Sequence, residues 1–144
     1  MDKSLIDQIE IAIKEENINC KLISNNIGDK LILDLAEKFS FDLNNLFIWT
    51  QKGASEFYDY SGGEFQWDKL LPGLLDNFME SIYLCVTNEE NFPWQLLQCN
   101  KNECIKLLTS LPYFEYFIFD ASMSCVLFDT HDNSFILFYS IAGK

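Results

Sequence analysis

The chain has no arginine. All ten of its basic residues are lysine, set against 22 acids, for a formal charge of −12. Arginine reads phosphates and guanine edges through two parallel hydrogen bonds, and an acidic field repels a phosphate backbone. Direct nucleic-acid binding is therefore not expected. Histidine is nearly as scarce, with His131 alone in 144 residues. A zinc site takes three or four His, Cys or carboxylate ligands, and one histidine supplies a fragment of that set. The five cysteines, Cys20, Cys85, Cys99, Cys104 and Cys125, are odd in number and contain no C-x-x-C pair. No basic-then-apolar leader precedes them, so reduced thiols in the cytoplasm are expected. Long apolar runs are missing too. The stretch "FILFY" has strand length, far below the roughly 20 residues that span a bilayer, and no transmembrane helix is expected. No internal repeat, low-complexity segment or linker interrupts the chain.

What is present is apolar and aromatic. Hydrophobic residues make up 49% of the chain and thirteen are Phe, enough to fold as one domain, residues 1–144, without a metal or a disulfide. In "KSLIDQIEIAIKEE", residues 3–16, Leu5, Ile6, Ile9 and Ile13 share one helical face, with Glu10 four residues before Lys14. "NINCKLISN" reads as a short strand. "GDKLILDLAEKF" repeats the helical spacing, with Asp34 and Lys38 as a second acid-base pair.

Beyond it, "FYDYSGGEF" places Gly62 and Gly63 between two extended pieces, which predicts a hairpin, and lacks the lysine of a phosphate loop. Pro72 suits the first turn of a short helix over 72–79. "SIYLCVTN" and "FPWQLLQCN" read as paired strands. Asn100 and Glu103 resemble a capping box that opens a helix ended by Pro112. The runs "YFEYFIFDA", "SCVLFDT" and "NSFILFYSI" are joined by connections too short for a parallel crossover, so they predict an antiparallel meander. The fold expected is α+β, with N-terminal helices packed on a mostly antiparallel sheet.

Two segments are candidates for function. "LFDTHDNSF" holds His131 between Asp129 and Asp132. Asp and Asn form turns because their side chains bond nearby backbone, so a turn is favoured there over a ligand or catalytic set. "GASEFYDYSGGEFQWD", residues 53–68, alternates Glu56, Asp59, Glu64 and Asp68 with Phe57, Tyr58, Tyr60, Phe65 and Trp67, and contains no lysine. Aromatic anchors with a carboxylate rim suit a cationic protein partner, because aromatics dominate binding hot spots and acids steer a basic surface in. An ordinary hairpin with solvated acids is the plainer alternative. The cysteines read as small buried apolar residues.

The C-terminal half, "IYLCVTNEENFPWQLLQCNKNECIKLLTSLPYFEYFIFDASMSCVLFDTHDN", resembles a group of small bacterial immunity proteins of contact-dependent growth inhibition and related polymorphic toxin systems. The matching pieces are Trp94, the helix from Glu103 to Leu111, the strand from Tyr113 to Asp120 and the segment from Leu127 to Asp132. The resemblance implies a cytoplasmic protein that binds a cognate toxin domain and covers its active or substrate-binding site, without catalysis or cofactor of its own. It transfers no catalytic residue. A basic nuclease is the toxin class that a chain of this charge would suit. The binding residues expected are Glu56, Tyr58, Asp59, Glu64, Trp67 and Asp68, with Asp129 and Asp132 added if the terminal turn shares their face. Two alternatives stay open: an adaptor resembling the SUKH-type scaffold, and a metal-dependent hydrolase built around His131, Asp129 and Asp132. The toxin's identity and the oligomeric state are not legible.

Overall fold

A computed structural model describes residues 4–43, 55–60, 67–88, 92–130 and 134–139. Helix α1, Leu5–Glu15, opens where the Ser4 hydroxyl accepts the Asp7 backbone N–H at 3.1 Å, satisfying one of the donors left over at a helix start. It buries Ile9 and Ala12. After strand β1, Cys20–Leu22, helix α2 runs Asn25–Phe39, three residues earlier than the periodicity implied. It stops at Ser40, whose left-handed φ of 59° returns its N–H to Ala36 and Glu37. On α2 Asp34 pairs with Lys30 at 3.2 Å, not with Lys38, which donates to the Ser122 carbonyl.

Strand β2, Ser55–Asp59, precedes helix α3, Trp67–Leu74, and a 3₁₀ turn over Leu75–Asn77. Strand β2 pairs with β7, Ser134–Tyr139, with Ser55 opposite Phe138 and Asp59 opposite Ser134, and Trp67 is already helical. The expected Gly62–Gly63 hairpin turn falls in residues 61–66, outside the described ones. Pro72 stands inside α3 and not at its start, which costs one backbone bond in a helix that ends two residues later.

Strands β3, Ser81–Val86, and β4, Gln95–Asn100, form the expected antiparallel pair. Helix α4, Lys101–Thr109, follows directly. The capping box is not made. Asn100 forms no side-chain cap bond, and Glu103 instead accepts the Asn19 backbone N–H at 2.6 Å, tying α4 to the segment before β1. Strands β5, Tyr116–Phe119, and β6, Cys125–Thr130, then build the meander with β7.

The seven strands lie in the order β1-β4-β3-β5-β6-β7-β2, every pair antiparallel. Helices cover both faces. Ile9 and Ala12 of α1, Leu71 and Leu74 of α3 and Leu107 and Leu108 of α4 pack on Leu84, Ile118, Leu127 and Leu137. Ile32, Leu35 and Ala36 of α2 pack with Phe41 on the alternate residues Phe117, Phe119, Val126, Phe128 and Phe138. The two early helices therefore sit on opposite sides. Sheets covered on both faces carry continuous apolar strands, which is why "YFIF" is buried at all four positions. On the α2 face the rings of Phe41, Phe128 and Phe138 meet edge-on at 5.5–5.7 Å.

Candidate functional site

The register of the sheet places one carboxylate where the pattern calls for an apolar residue. Reading across from β3 to β2, one row is Leu84, Ile118, Leu127, Leu137 and Glu56; the next is Val86, Tyr116, Asp129, Phe135 and Tyr58. Alternate strand residues share a face, so Asp129 lies together with Leu127 on the face covered by α1, α3 and α4. It is fully buried. The expected turn at "DTHDNS" thus begins later than residue 129: Asp129 and Thr130 are the last two residues of β6. Asp129 is therefore a buried strand residue and not part of an exposed turn. His131 and Asp132 lie outside the described residues.

Three elements converge on this carboxylate. Tyr60, just past β2, donates its hydroxyl to Oδ1 at 2.5 Å, and the Trp67 indole at the start of α3 donates to Oδ2 at 2.7 Å. The same indole N–H is shared with the Tyr116 hydroxyl at 3.2 Å, and that hydroxyl also hydrogen-bonds Asp129. Tyr113 donates to the Asp129 main-chain oxygen at 3.1 Å. Burial pushes the Asp129 carboxyl up to about 6, against the lowering effect of Tyr60, Tyr116 and Trp67, which favour its charged form. Among the described residues no lysine lies against it.

These groups line a cavity of about 400 Å³, within the size range of ligand pockets. Tyr60, Trp67, Tyr113, Phe114 and Tyr116 form its aromatic wall, and the end of α4 at Leu108 closes one side. Tyr113 is 53% exposed and stands at the rim.

Beside the cavity, β2 carries the acidic residues expected to bind. Glu56, Tyr58 and Tyr60 follow one another at a spacing of two and so share the Asp129 face. Glu56 is exposed, and one oxygen, Oε1, accepts both the Tyr58 hydroxyl at 2.6 Å and the Tyr139 hydroxyl at 2.9 Å. The Tyr58 bond first, then the Tyr139 bond, holds its carboxyl below the ordinary range. Asp59 is exposed and alternates to the other face of β2. Of the remaining candidates, Trp67 is a wall of the cavity, Asp68 lies in α3 with its side chain outside the described set, and Glu64 is outside it altogether.

Sequence reasoning missed Tyr113 and Tyr116 as site residues and did not single out Tyr60. The period of two from Glu56 through Tyr58 was a signal for Tyr60. For Tyr113 and Tyr116 there was none, because their place beside Asp129 follows from strand pairing alone. Among the described residues no group of three or more His, Cys, Asp or Glu is arranged to hold a metal. All five cysteines are free, four of them buried, and Cys20 stands directly opposite Cys99 across β1 and β4. Hydrogen bonding between those thiols and burial raise the Cys20 thiol far above its ordinary range. No helix among the described residues is long and apolar enough to cross a membrane.

Fold and site together define an α+β protein with a seven-stranded antiparallel sheet and an aromatic pocket backed by one buried carboxylate. No family model, curated protein or solved structure matches the chain.

Proposed function

We propose that this protein acts by binding a basic protein partner, as a cytoplasmic immunity protein that neutralises a cognate toxin domain, most naturally a basic nuclease, by covering its active or substrate-binding site. The observation that carries this reading is the acidic and aromatic face built on β2. There Glu56 accepts from two phenols that favour its charged form, on the same face of β2 as Tyr60, which lines the cavity. A carboxylate held in place by neighbouring hydroxyls, as Glu56 is, has little conformational entropy to lose when a basic surface docks, and exposed rings supply anchoring area.

The charge of −12 without arginine supports the same reading. A nuclease cleft is basic because it holds phosphates, and an acidic protein fills it as a substitute anion. The resemblance of the C-terminal half to immunity proteins agrees with a role by occlusion, in which the protein performs no catalysis.

The test is a pull-down from the native strain with tagged protein, washed at low and then high salt, with retained partners identified by mass spectrometry. Recovery of the basic C-terminal fragment of a large secreted protein, released by salt, is the expected result. Retention of no basic partner would remove this reading.

A further inference from the structure

The cavity around Asp129 has a one-sided chemistry. Among the described residues, every side-chain donor in its lining is committed to an acceptor within the protein. Tyr60 and Trp67 donate to the Asp129 oxygens, Tyr116 hydrogen-bonds the same carboxylate, Tyr113 donates to the Asp129 carbonyl, and Thr109 donates to the Lys106 carbonyl at 3.1 Å. What these side chains leave for a guest is therefore acceptor lone pairs on phenol oxygens and the negative faces of aromatic rings. An anion or a carbonyl group finds no free side-chain donor among the described lining residues. An anion is also repelled by the Asp129 carboxylate.

That carboxylate is the second observation. Asp129 is buried, and no lysine among the described residues neutralises it. A negative charge in a poorly screened setting acts strongly on a nearby cation, even with hydroxyl and indole donors between them. Aromatic faces add their own attraction for cations, largest for Trp. The guest meets Tyr60, Trp67 and Tyr113, which line the cavity together with Asp129.

We infer that this pocket is a cation-binding site that receives a basic side chain of the partner, a guanidinium or ammonium group on an apolar stem. The class of guest follows from the pocket's own chemistry. Its source, a side chain of the partner and not a free amine, rests on the function proposed above, and the strong negative charge of the whole chain favours it.

The experiment has two arms. In the first, N-acetyl-argininamide is titrated into the ¹⁵N-labelled full chain while the Trp67 indole N–H is followed by NMR, with N-acetyl-citrullinamide as the neutral isostere. A shift of the Trp67 signal with the arginine probe, at least tenfold weaker or absent with citrulline, is expected. In Asp129→Asn the amide N–H₂ would donate to the Tyr60 oxygen and turn the Tyr60 proton away from residue 129, so the arginine response should be lost. Should that variant fail to fold, Tyr113→Leu at the exposed rim removes one ring and should weaken the arginine response severalfold. Equal responses to arginine and citrulline, or an arginine response unchanged in whichever variant folds, would overturn the assignment. In the second arm, Asp129→Asn, or Tyr113→Leu in its place, replaces the native chain in the pull-down. Loss of the partner would support a partner side chain as the guest. Undiminished retention would overturn that source and leave the function proposed above standing. If the native chain retains no basic partner while the arginine response persists, the function falls and the pocket's cation chemistry does not.

Discussion

The Trp67 indole N–H meets the Asp129 carboxylate at 2.7 Å across 62 residues of sequence. This one bond joins the start of α3 to the end of β6. It orients a large ring over a cavity and stabilises a charge that burial alone would disfavour. Several measurable consequences come from it and from the packing around it.

Replacing Trp67 with Phe keeps most of the ring area and removes the donor. Asp129 then keeps Tyr60 and Tyr116, and its carboxyl should titrate above its present value of about 6 because one group favouring the charged form is gone. The loss should cost about 1–3 kcal/mol at neutral pH. A ¹³C titration of the Asp129 carboxyl together with urea unfolding checks both; an unchanged titration midpoint would show that the indole does not act on this charge.

The pH dependence of stability has a definite sign. Asp129 is raised from 3.8 to about 6 on folding, so between these values the folded protein holds a proton that the unfolded chain has released. Its contribution therefore falls as pH rises through that window, by about 2 kcal/mol between roughly pH 4.5 and 7.5. Asp129→Asn lacks this slope. Urea unfolding of both proteins over that range should show native stability declining relative to the variant, and parallel curves would contradict the assignment.

Glu56 and Asp59 are exposed on β2. Changing both to their amides should leave melting nearly unchanged, as for ordinary surface substitutions. Partner association should slow and its salt dependence should flatten, since steering charges act mainly on the on-rate. Stopped-flow association at two salt concentrations measures this. Extending the set to Glu64 and Asp68 should deepen the effect.

Leu127 is fully buried in the row formed with Leu84, Ile118 and Leu137. Leu127→Ala leaves a void between the sheet and the helices above it and should cost about 2–5 kcal/mol. Denaturant midpoints report the change directly.

Ser40 ends α2 at φ 59°, a conformation that glycine adopts without a Cβ penalty. Ser40→Gly should raise stability by roughly 1 kcal/mol. Thermal unfolding decides the sign.

Much of the fold was legible in the linear pattern. Leu5, Ile9 and Ile13 recur at helical spacing and form the buried side of α1. The β3–β4 pair and the β5–β7 meander follow from short apolar runs joined by short connections. Such elements depend on neighbours within a few residues, and their signals are correspondingly local. The capping box at Asn100 failed for a nonlocal reason: Glu103 has a better partner in Asn19, 84 residues away.

The sequence by itself determined the element types, the acidic character without arginine, and the acidic-aromatic stretch that places Glu56 and Tyr58 on one side of β2. Only the tertiary structure decided that β2 pairs with β7, and that Asp129 is a buried acceptor and not a turn residue. The physical reason is the same in both cases. Strand partners are chosen by long-range burial and register, and an Asp near the end of a strand carries the same local turn signal whether it faces water or, as here, an indole and two phenols supplied from distant parts of the chain.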